Sequence, residues 1–300
     1  MVDVEAATTK GTRLVTGATA TPREGCRRVA FAPERRLVLD TLRLGQRKHM
    51  MHGLLEVDVT RARGLLREQR ERTGERISFT AFVLACLGRA VAAHPEVHAL
   101  RDWFGRSVLF EDVDVTTIVE VSIEGRQFGL AHVVRAVNRR TTRDIHEEIR
   151  AVQAEGARSV MPGLRLATKV ALLVPGPIRR FVFRILLRFP HLAKRHTGTV
   201  LLTAVGMFGG GPGWGFSAPG IHGLSIVVGG IATRPEAGGQ PAREVLCLTV
   251  SADHDVIDGA PVTRFVRDFR AQLEGAESLG LDDTHGARIV TDSGRAAASA

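Results

Sequence analysis

The chain has 300 residues, 44% hydrophobic and only 5% aromatic, with 41 Lys plus Arg against 32 Asp plus Glu and a formal net charge of +9. That length and apolar content sustain one large core or two modest ones, and the spread of apolar residues favours one body with loose ends. Three scattered cysteines, Cys26, Cys86 and Cys247, argue against a disulfide framework or a zinc cluster. Sparse aromatics, with no Tyr and no zinc-finger or RNA-binding signature, put nucleic acid last among anionic partners, behind CoA phosphates and an anionic membrane face.

Residues 1–26 are small and polar and read as a flexible lead, and residues 276–300, ending in SGRAAASA, read as a tail. The lead lacks the apolar stretch of a secretory signal and no run of 18 apolar residues exists, so the expected location is the cytoplasm. The body, 27–275, opens with helical spacing over 34–48, through Leu37, Leu39, Leu42 and Leu44. LLEVDV (54–59) reads as a strand, and Thr60 as the N-cap of a helix through Gln69. SFTAFVLACLGRAVAA (78–93) is an apolar helix whose small residues predict full burial, capped by Ser78 and closed by His94-Pro95. Cys86 and Cys247 lie in apolar runs and read as core residues.

Short strands are predicted at 107–110, 115–123 and 130–134, then an amphipathic helix over 142–153. Strands return at 199–205, 224–229 and 245–251, followed by a helix from about 261 to 274. Strands and helices mix without regular βαβ alternation. The predicted class is therefore α+β, a sandwich with a mixed β-sheet flanked by helices.

Residues 170–190 (VALLVPGPIRRFVFRILLRFP) form a separate signal. Ile178, Phe181, Val182, Ile185, Leu186 and Phe189 follow the i, i+3, i+4, i+7 pattern, while Arg180, Arg184 and Arg188 recur every fourth residue. Pro177 sits near the start of this basic amphipathic helix and Pro190 at its end. Attachment to a membrane surface through 175–190 and a lid over an apolar substrate are one pair of readings. A helix docked on the body or at a subunit contact is the other, and the commoner fate of such a stripe.

Two places carry chemistry. His254 follows the apolar strand 245–250 and enters a turn containing Asp258 and Gly259. An imidazole there suits a general base near neutral pH, taking a proton from a thiol or hydroxyl attacking a thioester. Taken alone, a His-xxx-Asp-Gly match is weak, and a surface histidine in a turn is the commoner explanation of an arbitrary one. The second place is TVLLTAVGMFGGGPG (199–213), where Thr203 sits near the end of a strand that runs into a Gly-rich loop. Its hydroxyl suits an oxyanion donor; the plain alternative is a strand residue before a loop that needs glycines. The loop lacks Gly-Lys-Ser/Thr and is no Walker motif, and no GxSxG elbow, HExxH helix or EF-hand loop occurs.

Taken together, these segments resemble the catalytic domain of the 2-oxoacid dehydrogenase dihydrolipoamide acyltransferases, which share the chloramphenicol acetyltransferase fold. LTVSADHDVIDGAPVTRFVRDFRAQLE is similar to the family's closing strand, Asp-His-Arg-x-Ile-Asp-Gly-Ala motif and final helix. ISFTAFVLACLGRAVAAHPEVHAL resembles its buried helix, FGLAHVVRAVNRRTTRDIHEEI its Gly-Leu-x-x-Pro-Val segment, and TVLLTAVGMFGGG its Phe-Thr-Ile-Ser-Asn-x-Gly strand. The resemblance covers about 27–275 and implies His254 as general base and Thr203 as oxyanion donor. It also implies that Asp258, with Gly259 beside it, holds the loop by pairing with Arg36 (or the adjacent Arg35). Acyl-CoA would be the cosubstrate, with no metal, and the active site would lie between the subunits of a homotrimer, with larger assembly possible.

The departures are Asp255 for the family's Arg, His98 for the Asn after His-Pro, and His132 near the family's Pro. Residues of about 158–196 read as an insertion. No Asp-Lys-Ala lipoylation turn occurs in the sequence. The leading expectation is thus an acyltransferase moving an acyl group, with acetyl the first choice, from acyl-CoA to a hydroxyl, amine or thiol of a small acceptor. The alternatives are a dihydrolipoamide acyltransferase core served by a lipoyl domain on another chain, and a non-catalytic membrane-surface or assembly protein.

Overall fold

In a computed structural model the described residues are 31, 34–123, 126–156, 170–206, 211–236 and 242–279. The expected lead, residues 158–169 of the expected insertion, Cys26 and the tail beyond 279 lie outside them. The framework is a six-stranded mixed sheet in the order β1-β8-β7-β6-β4-β5. These strands are β1 (Met50–Asp58), β4 (Val115–Ile123), β5 (Arg126–Val134), β6 (Val200–Ala204), β7 (Leu224–Arg234) and β8 (Arg243–Asp253). The short β6 lies parallel to both β4 and β7, and the remaining neighbours are antiparallel. A separate two-stranded hairpin joins β2 (Leu100–Arg101) and β3 (Ser107–Val108). The α+β class with a mixed sheet is as expected.

The helix α3 (Phe79–Ala93) is buried nearly all round. It packs against α4 (Thr142–Glu155) and α7 (Gly259–Gly275), while α2 (Thr60–Thr73) lies against α7 and β8. Phe82, Leu84, Leu87, Phe265, Phe269 and Leu273 are fully buried where α3 and α7 meet the sheet. Each such side chain contributes about 1.5–3 kcal/mol by leaving water. The small residues of α3 permit close approach: a Cβ on Gly88 would meet the Asn138 backbone N at 2.7 Å. Cys86 and Cys247 are both buried, and burial pushes the Cys86 thiol up to about 12.

The differences from the sequence reading lie at element ends. β1 begins at Met50, four residues before the apolar run, because its first half pairs with the end of β8. Thr60 is the first residue of α2 rather than its cap. The Asp58 carboxylate accepts from Thr60 N at 3.0 Å and from Thr60 Oγ1 at 2.6 Å. Ser78 precedes α3 without a side-chain capping bond. Helix α4 does carry a cap box, Thr141 with Asp144. The basic segment is two helices, α5 (Gly176–Leu186) and α6 (Pro190–Thr197), because Pro190 cannot continue one helix and starts the next. The expected tail is packed at its start, with Ala276 and Ser278 buried.

Candidate active site

Strand β8 delivers His254. Ser251, Ala252 and Asp253 are buried at its end, and the chain then turns so that Ile257 plugs back into the core. Three bonds sew this turn to the segment between α1 (Glu34–Gly45) and β1. Lys48 Nζ donates to Asp253 Oδ2 at 2.6 Å, His254 N donates to the His49 carbonyl at 2.8 Å, and His49 Nδ1 meets Asp255 Oδ1 at 2.7 Å. The hydrogen bond and charge of Asp255 raise the pKa of His49. The remaining Asp253 oxygen accepts from Asp255 N at 3.1 Å.

The backbone of His254 is thus pinned while its side chain stays half exposed. Its Nδ1 lies 3.7 Å from Asp258 Oδ1, within ion-pair range but longer than a hydrogen bond. Asp258 is the N-cap residue of α7, makes no side-chain cap bond, and is 86% exposed. With Nδ1 turned toward a carboxylate, Nε2 is the nitrogen left to exchange protons with a ligand.

Of the two expected anchors, Gly259 stands beside Asp258, and Arg36 is not paired with it within one chain. Arg36 lies on α1 beside a cleft of about 370 Å³ lined by Asp40, Arg43, Arg179 and Arg180, and among the described residues no ion pair joins it or Arg35 to Asp258. The physical reason is that the loop is already held by Lys48 and His49, nearer in the fold. Gly259 begins α7, and a Cβ there would meet nothing within 4 Å, so neither space nor backbone demands glycine within one chain.

Thr203 lies on β6 and lines a larger cleft of about 810 Å³ with Arg70, Arg76, Ser78, Thr117 and Arg150. It is not brought to His254. Thr203 pairs with Val227, and Val227 with Thr249, five residues before His254. The two side chains are therefore roughly 17 Å apart along the strands and about 10 Å across them. The close approach of this loop to β7 demands glycine on both sides: a Cβ on Gly206 would lie 1.7 Å from Gly229 O, and a Cβ on Gly229 would lie 2.2 Å from Gly213 O, the oxygen that accepts from Gly230 N at 2.9 Å. The loop presses directly on an irregularity of β7 between Val228 and Ile231.

Beneath the His254 turn is a further cavity of about 290 Å³, lined by Lys48, Asp253, Asp255 and His222, and by Arg101, Arg184 and Arg188. Burial pushes the pKa of His222 down to about 4. His98 is buried too, with Nε2 donating to Phe110 O at 3.2 Å and Nδ1 accepting from Thr199 Oγ1 at 2.8 Å. Burial lowers it to about 4, so it is a neutral structural cross-brace. His132 Nε2 bonds Glu148 at 2.6 Å, at the surface of α4.

The site is thus a half-exposed histidine leaving a buried strand of a mixed sheet, with a carboxylate 3.7 Å away one turn later. Residues 192–281, which span β6, Thr203 and the His254 turn, match the model of the 2-oxoacid dehydrogenases acyltransferase (catalytic domain). The fold agrees. The dihydrolipoamide acetyltransferase of Azotobacter vinelandii is 15% identical, with a TM-score of 0.61 over 87% of this chain and 99% of that one. The cubic core of the pyruvate dehydrogenase multienzyme complex gives 14%, 0.62, 87% and 99%. A catalytic core from Thermoplasma acidophilum gives 19%, 0.60, 83% and 98%. No curated protein matches the sequence. The chain therefore has the fold of these acyltransferase cores, and residues 192–281 match the family's catalytic-domain model.

Proposed function

We propose that the protein transfers an acyl group from an acyl-CoA to a hydroxyl, amine or thiol of a small acceptor, in a site completed between subunits of a homotrimer. The observation that carries this is the separation of His254 from Thr203 within one chain, each beside its own opening. In the Azotobacter enzyme a serine, a histidine and an asparagine four positions later have been investigated for roles in catalysis, and His254 and Asp258 share that spacing. Likeness to a cubic core supports assembly beyond one chain. Arginines in both openings suit the phosphates of CoA.

In this mechanism His254 Nε2 takes the proton of the acceptor as its O, N or S attacks the thioester carbonyl. Thr203 of the adjacent subunit donates its hydroxyl hydrogen to the oxyanion. The tetrahedral intermediate collapses, the C–S bond breaks, and the imidazolium returns the proton to the CoA thiolate. A positioned base contributes about 10²–10⁴-fold and one oxyanion donor about 10²–10³-fold.

The test is complementation. His254→Ala and Thr203→Ala are each nearly inactive in thiol release from acetyl-CoA. Co-expressed in equal amounts, they regain about a quarter of wild-type activity, because a quarter of interfaces combine an intact His254 with an intact Thr203. No recovery would place both residues in one chain and end the shared-site reading. The family match favours a second reading, acyl exchange with a lipoyl domain on another chain, which dihydrolipoamide as acceptor would reveal.

A further inference from the structure

Helix α5 is inside out. Its one buried residue is Arg179, whose guanidinium pairs with the buried Asp40 of α1 and donates to the carbonyls of Ala171 and Val174 at 3.2 Å. The apolar stripe faces away from the body, with Ile178 55%, Phe181 60%, Val182 43% and Phe189 52% exposed. The usual economics of an amphipathic helix are reversed, since the body holds the charge and solvent meets the hydrophobes. Arg184 and Arg188 flank the stripe and have no ion pair among the described residues.

A second element joins this face. The β2–β3 hairpin exposes Trp103 (61%) and Phe104 (79%) at its turn. Arg101 at its base and Arg184 and Arg188 of the helical segment line the same cavity, so hairpin and helix end stand side by side. The sequence around α5 contains no Asp or Glu between Glu155 and Glu236. A second copy docking the same face on itself would set arginine against arginine. A surface of anionic headgroups over acyl chains complements it on both counts.

We propose that α5 and the Trp103–Phe104 turn dock the protein on the surface of an anionic bilayer, lying in the interface without crossing it. Among the described residues no helix is long and apolar enough to span a membrane. Phe181, Ile178 and Phe189 enter the headgroup–acyl boundary, and Arg184 and Arg188 extend to the phosphates. Docking here presents the cavity beside the His254 turn to the bilayer. It does not depend on the acyl-transfer reading.

The experiment is flotation of the full chain with vesicles of phosphatidylcholine alone and with phosphatidylglycerol added, alongside light scattering to fix the oligomer mass. The wild type floats with the anionic vesicles and is released by high salt. The pair Arg184→Gln/Arg188→Gln weakens partitioning roughly 30-fold, at about fivefold per arginine. Ile178→Ser/Phe181→Ser weakens it at least about tenfold, with unchanged oligomer mass and melting. Failure of the wild type to float with anionic vesicles overturns the proposal. So does flotation that neither variant alters. A wild type that stays unbound while the serine variant loses oligomer mass assigns the face to a subunit contact and also overturns it.

Discussion

Lys48→Met tests whether the His254 turn is held from outside the strand that bears it. Methionine keeps most of the stem's volume and removes the cation. The Asp253 carboxylate, only 4% exposed, is then left with the N–H of Asp255 in place of a 2.6 Å ion pair. Breaking a buried pair by removing one partner costs about 3–5 kcal/mol, and the 22% exposure of Lys48 sets the expectation near 3 kcal/mol. For a chain of this size that lowers Tm by roughly 6–12 °C. Because His254 N also hangs from this segment through His49 O, the imidazole shifts, and a displacement of about 1 Å is worth about 10²-fold in turnover. Thermal melts and thiol release from acetyl-CoA read the two effects separately. Lys48→Met/Asp253→Leu, which removes both charges, regains most of the lost Tm. A single variant that melts within about 1 °C of wild type and turns over normally would refute the anchoring role.

Three further outcomes follow from buried groups. His98 titrates near 4 in the folded chain against 6.5 when unfolded, so the unfolded state binds the extra proton between those values. Stability is full above about pH 6.5 and falls toward pH 4, by about 3 kcal/mol from this one group; urea midpoints of wild type and His98→Gln across that window should converge as pH drops. Gly88→Ala drives a Cβ into the Val137–Asn138 backbone at 2.7–2.8 Å. It should cost about 1–3 kcal/mol by overpacking, and an unchanged denaturation midpoint would contradict that contact. Asp40→Asn strands Arg179 without its carboxylate and should free α5 locally, speeding tryptic cleavage at Arg179–Arg188; an unchanged peptide map over time would show the pair is dispensable.

What the sequence made legible follows from pattern strength. The apolar runs at 79–93 and 245–250 are long enough to name their elements, and the segment order identifies the fold class. Element ends were less legible because partners far along the chain set them: Met50 joins a strand only because Asp253 lies opposite, and Thr60 loses the cap role to Asp58. The site was half legible. His254 and Thr203 stand out by context, whereas Lys48 and His49 sit in a polar stretch, QRKH, with no periodicity to mark them. The sequence leaves the direction of the apolar face of α5 open between outward and docked. Its stripe is the same whichever way it points, and only the burial of Arg179 by Asp40, 139 residues away, decides the direction.

That distinction matters most at Asp255, the departure from the resembling motif closest to His254. An acid in place of a base beside His254 would leave the turn with Asp253, Asp255 and Asp258 and no compensating cation. The structure supplies two cations from one short segment, Lys48 for Asp253 and His49 for Asp255. The two clasps differ in burial, with Asp253 4% exposed and Asp255 42%. Asp255 raises the pKa of His49 above its ordinary 6.5, so that clasp is fully charged below 6.5 and is lost as pH rises through the raised value. When that outer clasp lets go, the position of His254 rests on the buried pair of Lys48 with Asp253 and on the bond from His254 N to the His49 carbonyl.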